Sequence, residues 1–474
     1  MFMPQETESK GRPAGLLVLA IAIMLLIVGG LALWRFAPNS LPSLFERTRI
    51  AAAPAPPEII LSMHGSNTIG AQLAGALAEA FLRREGAQSV ATAPGTHADE
   101  YSVVATLPGD THPKAIEIQA HGSATAFTDM AAGKADIGMA SRPIKPEETA
   151  TLTRLGGMTS PECEHVVGLD GLAIIVNKSN AVSALSKTQV ARIFTGEIAD
   201  WREVGGAAGP IKVLSRDDKS GTYDTFKALV LGKEKLTAGA VRIEDSRELS
   251  DRVADDPSAI GFIGLPYIRS AKAVAVSEPG VAPLVPNRLT VATEDYLLSR
   301  RLFFYVAASP KPLARRFVEF ALGSDGQDIV ARIGFVELNV KAGSATAAAN
   351  STPEYMSLIA GAQRLSLNFR FRPGSTELDN RALVDLDRVS GFLSDPAHQH
   401  GGIILCGFAD SLGTSETNQA LALSRATGVA AEFKRRGMVP AAVDAFGATN
   451  PVASNKTEEG RQKNRRVEVW MRTM

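Results

Sequence analysis

The segment Arg216-Asp217-Asp218-Lys219-Ser220-Gly221-Thr222-Tyr223-Asp224 carries the residue types and spacing best suited to chemistry in this chain. Ser-Gly-Thr opens the helical run Tyr223 to Val230, so hydroxyls and free backbone N–H groups meet at one point, which favours an anion. Arg216 adds a planar, permanently charged fork that suits a tetrahedral oxyanion such as phosphate. The same tripeptide also serves as a plain N-cap with a solvated arginine nearby. Two further segments weigh against that plainer reading. Ile59 to Thr68 and Ile116 to Thr125 each run strand, glycine, hydroxyl, helix. Ser66, Asn67 and Thr68 precede the apolar-periodic run Ile69 to Phe81, and Ser123 precedes Phe127 to Ala132. Three anion-receptive helix starts in one domain read as a site, because ligands of open α/β sheets collect where helix N-termini meet the carboxyl ends of strands.

The elements that must position these groups resemble a known family. From Glu58 to about Lys341 the chain is similar to periplasmic phosphate-binding proteins of the PstS type. The resemblance rests on Gly65-Ser66-Asn67-Thr68, Gly122-Ser123, Ala135 to Arg142, Ile193-Phe194-Thr195-Gly196…Trp201, Arg216 with Ser220-Gly221-Thr222, and Ile260-Gly261-Phe262. It implies a two-lobed, hinged α/β binding protein (type II) that closes over one dehydrated phosphate. The implied ligand groups are Ser66, Asn67, Thr68, Ser123, Ser141, Arg142, Arg216, Ser220, Gly221 and Thr222. Several family members carry a carboxylate where this chain has Arg142, and that carboxylate accepts the hydrogen of protonated phosphate. A cation there favours any tetrahedral oxyanion by charge and leaves the proton-reading group unassigned. His64 and His121 read as strand-end residues, or as anion donors when protonated. The crossings between lobes are expected near Ser160 to Leu172 and near Asp245 to Phe262, so that closure brings the Ser123 and Ser141 side onto Arg216 and Ser220 to Thr222. On this reading Arg216→Ala damages binding more than loss of any one hydroxyl.

A second pattern starts at about Ala362. Leu365 to Phe371 alternates as a strand, Asp379 to Leu393 reads as a helix, Gly402 to Asp410 as a strand and Thr417 to Arg436 as a long helix. Asn418 and Arg425 fall on one face of that helix, and Asp410 ends the strand that feeds it. One negative and one positive group fit a ligand with both an ammonium and a carboxylate; a surface salt bridge is the plain alternative. Gly407-Phe408-Ala409-Asp410, Gly413, Asn418, Leu421, Arg425-Ala426, Gly447…Asn450-Pro451 and Asn464-Arg465-Arg466-Val467-Glu468-Val469 resemble, in order, OmpA-like peptidoglycan-binding domains. That resemblance implies an α+β domain in which Asp410 takes the ammonium and Arg425 the carboxylate of diaminopimelate in the stem peptide, supported by Asn418 and Arg465. Ala409 and Ala422 stand where many members have Thr and Ser.

Gly15 to Leu33 is an uncharged apolar run of about 19 residues, long enough to cross a bilayer as a helix. A cleaved signal peptide usually has a shorter core with a small-residue site close behind, and Ala51-Ala52-Ala53 lies far downstream. The expected order is therefore a cytoplasmic tail (1–14), a single transmembrane anchor (15–34), a Pro/Ala-rich linker (35–57), the PstS-like domain (58–341), a second linker (342–361) and the OmpA-like domain (362–474). Both large domains would then face the periplasm of a Gram-negative-type envelope. Lys and Arg total 50 and Asp and Glu total 50, so no global field recruits nucleic acid. Cys163 and Cys406 fall in different domains, and no His or Cys cluster has metal-ligand spacing. No cofactor is implied. Without paired metal ligands or a nucleophile-base constellation the chain reads as a binder and not an enzyme. Its expected partners are inorganic phosphate or a related oxyanion, the peptidoglycan stem peptide and the inner membrane, with an ABC transporter permease as a candidate. The rival reading is an envelope tether whose PstS-like lobe has become a protein-interaction scaffold. The segment Ala87 to Pro113 is longer than the family's and suggests an added hairpin around Glu100 to Thr106.

Overall fold

Continuous Ile, Val, Leu and Met runs become strands buried on both faces, as parallel sheets covered by helices require. The computed structural model describes residues 56–473 apart from 98, 219, 346–350, 373–374 and 399–400. The tail, the anchor and most of the first linker lie outside these residues. Among the described residues no helix is long and apolar enough to cross a membrane.

β1 (Glu58–Gly65), β2 (Val90–Pro94), β3 (Glu100–Ala105), β4 (Lys114–Gln119) and β5 (Ile137–Ala140) build the first lobe. β1 lies between β4 and β5 and is parallel to both. β2 and β3 form the added hairpin and pair antiparallel onto β4. Tyr101 of that hairpin donates to the Gly70 carbonyl at 2.5 Å, which ties the insert to the short helix after Ser66.

β6 (Glu164–Val176) carries the chain into the second lobe, which holds β7 (Ala184–Ser186), β8 (Lys212–Arg216), β9 (Val241–Ile243), β10 (Ala259–Gly264), β11 (Lys272–Ala273) and β12 (Ala275–Ser277). β13 (Ser299–Tyr305) then runs back antiparallel along β6 and joins β5. The resulting order is β2-β3-β4-β1-β5-β13-β6-β10-β8-β9. The outward crossing therefore falls in the expected window. The return crossing does not: Asp245 to Phe262 forms a helix (Ser246–Asp255) and β10 inside the second lobe, and the chain returns on β13 instead. A strand such as Ala-Ile-Gly-Phe-Ile-Gly reads only as buried; which neighbours it pairs with is a non-local property that the local pattern does not hold.

The C-terminal sheet comprises β14 (Ala342–Gly343), β15 (Gln363–Arg370), β16 (Gly401–Phe408), β17 (Ala442–Ala445) and β18 (Arg466–Thr473), in the order β14-β15-β18-β16-β17. The helices Asn380–Ser394 and Ser415–Arg435 cover a core that includes Phe369, Leu386, Val429 and Phe433. Within the expected second linker, β14 pairs with β15 and Pro353–Ile359 is a helix capped by Thr352. Tyr355 of that helix packs with Phe408, Phe446 and Trp470. Cys163 and Cys406 are both free and buried.

Gly407 lets β16 touch the long helix, since a Cβ there would lie 2.2 Å from the Ala422 carbonyl oxygen. Gly407→Ala forces that helix outward and should cost about 1–3 kcal/mol of stability, read as a lowered Tm by circular dichroism.

The C-terminal domain packs on both lobes. Asn380 donates to the Thr159 carbonyl and to Glu164, each at 3.0 Å, on the first. Glu278 accepts from the Ser454 N–H at 2.9 Å on the second. Between them sits Glu294, with Arg301 at 2.9 Å, Arg370 at 3.6 Å and a direct hydrogen bond from Arg381.

Candidate functional site

All three helix starts are present, and glycines decide how closely they approach. A Cβ on Gly65 (φ +138°) would sit 2.0 Å from the Met139 carbonyl oxygen, so only glycine lets β1 end against β5. The Ser66 N–H donates to that same carbonyl at 2.8 Å. Gly122 (φ +104°) caps the helix Ser123–Ala131 and donates to the Gly65 carbonyl at 2.8 Å. Ser123 Oγ accepts from the Ser141 N–H at 3.0 Å and lies 3.2 Å from Ser141 Oγ. Ser66, Asn67, Ser123, Ser141 and Arg142 thus come together on one wall of a cavity of about 1040 Å³.

Thr68, Arg216, Ser220, Gly221 and Thr222 are not part of that wall. Thr68 reaches across the cleft and donates to the Gly221 carbonyl at 3.2 Å, so the two lobes touch here. Ser220 caps the helix Gly221–Phe226 by accepting from the Tyr223 N–H at 3.4 Å. The Arg216 fork donates to Ser246 Oγ at 2.5 Å and lies 3.7 Å from Asp217. Its Nε is buried without a partner, and burial lowers the guanidinium pKa.

Arg142 is engaged too. Both of its terminal nitrogens meet Glu148, at 2.8 and 2.6 Å, and its guanidinium sits 5.4 Å above the Phe127 ring. The hydrogen bonds that it donates to Glu148 raise its pKa. A cation already paired bidentately adds little net charge to a ligand. Arg142→Ala should therefore weaken phosphate binding by less than about threefold, whereas a cation in direct contact would be worth ~1.5–3 kcal/mol, more than tenfold; calorimetric titration distinguishes the two.

His64 lies between Asp129 (2.9 Å) and Glu117 (3.3 Å), and His121 faces Glu100 at 2.9 Å. Neither lines the cavity, which agrees with their reading as strand-end residues.

Arg300, at the start of β13, is the functional residue that the sequence did not yield. Its Nη2 donates to Thr68 Oγ1 at 2.6 Å and to the Gly221 carbonyl at 3.3 Å and also bonds Thr225; its Nε lies 3.3 Å from Asp170. One buried guanidinium at the crossing strands thus joins both lobes, and burial lowers its pKa despite Asp170. Two adjacent arginines ahead of the apolar Leu302-Phe303-Phe304-Tyr305 were the available signal.

In the C-terminal domain Asp410 and Arg465 form a buried pair at 2.7 Å, and the second Asp410 oxygen accepts from the Leu412 N–H at 2.8 Å. Arg425 lies 5.2 Å above the Phe371 ring and donates to the Ser375 carbonyl at 3.4 Å. Burial and the neighbouring Arg465 lower its pKa. The Nε atoms of Arg425 and Arg465 are buried without partners. Asn418 is buried on the same helix. Ala409 and Ala422 are buried and pack with Ala445, so the small residues fill a close contact.

A pair of α/β lobes with hydroxyls and helix starts aimed into the cleft defines a solute-binding protein. Residues 72–325 match the PBP superfamily domain, and residues 370–465 match the OmpA family. The chain belongs to the PBP superfamily, with a PstS-like domain fused to an OmpA family domain. The phosphate-binding protein PstS of Bacillus subtilis (strain 168) is 30% identical over 222 residues, which cover 47% of this chain and 70% of that protein. Protein SphX of Synechococcus elongatus is 32% identical over 240 residues, covering 48% and 70%. Among solved structures, a putative phosphate ABC transporter substrate-binding protein with bound phosphate from Clostridium perfringens shows 30% identity and a TM-score of 0.40, over 58% of this chain and 98% of that one.

Proposed function

We propose that this chain is a periplasmic binding protein for phosphate or a related oxyanion, anchored in the inner membrane by residues 15–34 and attached to peptidoglycan through its C-terminal domain. The observation that carries the oxyanion reading is the wall on which Ser66, Asn67, Ser123 and Ser141 converge at two helix starts. The PstS relatives support phosphate as the anion. Asp410, Arg425 and Arg465 supply the opposed charges that a diaminopimelate stem peptide needs, with the Asn418 amide on the same helix as Arg425. An ABC transporter permease is the partner to which such a receptor would deliver its ligand.

Calorimetric titration of the full chain with phosphate and with sulfate tests the first half. Heat with phosphate and none with sulfate supports a phosphate receptor, and heat with both supports a general oxyanion receptor. Cosedimentation with purified peptidoglycan, set against Asp410→Ala, tests the second half.

One set of contacts favours the scaffold reading: Arg142 and Arg216 are both spent on Glu148, Ser246 and Asp217. Silence with every oxyanion from a folded chain would make that reading the better one.

A further inference from the structure

The cavity is too large for the ion that its wall suits. A water molecule takes roughly 30 Å³ of liquid, and a phosphate ion displaces only a few waters, whereas drug-sized ligands fill about 300–1,000 Å³. At about 1040 Å³ the cavity belongs to the second class. Its far wall comes from the C-terminal domain: Phe371, Arg372, Glu459, Gln462 and Lys463 line the same space as Ser66 and Ser123.

An inorganic phosphate is held without water only when nearly every oxygen finds a donor. Here the wall of hydroxyls faces one side of the space, and the opposite side is open chamber. A phosphomonoester meets that geometry better, because its bridging oxygen needs no donor and its organic part takes the place of the missing wall. The groups along the chamber fit a hydroxyl-rich organic part. Asp224 and Glu459 line it with carboxylates that make no hydrogen bond or ion pair with the described residues, so both can accept from hydroxyls. Phe303 and Phe371 add aromatic surface.

We infer that this chamber binds a sugar phosphate, with the phosphoryl group on the Ser66, Asn67, Ser123 and Ser141 wall and the sugar between the lobes and the C-terminal domain. The inference rests on the oxyanion reading above and names its ligand class. Ala228 lines the chamber from the second lobe, on the helical turn Lys227–Leu231, apart from the elements that carry Ser66, Asn67, Ser123 and Ser141. Ala228→Trp should therefore fill the sugar space and leave the phosphoryl end open.

The test is calorimetric titration of the full chain and of Ala228→Trp with inorganic phosphate, glucose 6-phosphate, N-acetylglucosamine 6-phosphate and glucose. The expected result is a Kd for at least one ester tenfold or more below that of inorganic phosphate, no heat with glucose, and loss of the ester advantage in Ala228→Trp with phosphate binding unchanged. Phosphate binding with weaker or absent ester binding overturns the inference and leaves the oxyanion receptor standing. Absence of heat with phosphate and both esters overturns both. An ester advantage that survives Ala228→Trp overturns the placement of the sugar in this chamber.

Discussion

Replacing Gly221 by alanine should lower phosphate affinity at least 100-fold, about 3 kcal/mol, while leaving the melting temperature nearly unchanged. A Cβ at this position would lie 2.6 Å from Thr68 Cα and 2.9 Å from Thr68 N. Those are backbone atoms, and no rotamer change relieves the clash. Thr68 and Gly221 belong to different lobes, so the available relief is to part the lobes, which also breaks the Thr68 hydrogen bond to the Gly221 carbonyl and the bridge from Arg300. The first lobe holds a core around Leu61, Phe81 and Phe317, and the second lobe another around Ile175, Leu214 and Val253. The measurement pairs titration with small-angle scattering, in which Gly221→Ala should show the larger radius of gyration. Gly239→Ala is the control, because its added carbon would meet only Thr237 Oγ1, at 4.0 Å. Equal affinity in Gly221→Ala and the parent chain would mean that the Thr68 contact plays no part in closure.

The largest loss of stability is expected from Glu294→Gln. Burial alone would raise the Glu294 pKa, but Arg301, Arg381 and Arg370 hold it well below the ordinary carboxylate range. A carboxyl whose folded pKa is depressed contributes stability that is complete above its unfolded pKa and drains away as pH falls through the folded value. Glutamine keeps the shape and deletes the charge, leaving Arg301 with Asp379 alone, Arg381 with Asp385 and Arg370 with Asp295 at 3.8 Å; removing one partner of a buried charged set costs about 3–5 kcal/mol. For a unit of this size that lowers Tm by roughly 5 °C. The gap between parent and variant should narrow as the solution is made strongly acidic, where the parent loses the same charge. A Tm within 1 °C of the parent at neutral pH would show that these arginines are satisfied without Glu294.

Local signals made much of this molecule legible. Strand, glycine, hydroxyl and helix occur at fixed offsets, so Ser66, Ser123 and Ser220 could be placed at helix starts from the sequence, and two strands and the two long helices of the C-terminal domain emerged within a few residues of their bounds. The hairpin in the 87–113 insert followed from simple alternation. Arg300 and Glu294 were not legible for the opposite reason. Arg300 acts on Thr68, Gly221 and Asp170, and Glu294 on Arg370 and Arg381, partners separated by tens to hundreds of positions that no local pattern connects. The orientation of Arg216 was equally hidden: its spacing to Ser220 marks a motif, but whether the fork turns to the cleft or to Ser246 depends on the helix that begins at Ser246. The return crossing on β13 was hidden because its pairing with β5 and β6 joins residues more than a hundred positions apart.

The seam at Glu294 also bears on where this chain can be cut. The family match ends at residue 325 and the sequence resemblance extends the binding domain to about residue 341, yet Arg370 and Arg381 lie beyond both points and Glu294 and Arg301 before them. Scissors at 341 would leave Glu294 with one arginine out of three and bare Asp295, which Asn368 covers at 2.8 Å. Two modules therefore share one electrostatic unit: a substitution at Arg381 in one changes the surroundings of Glu294 in the other.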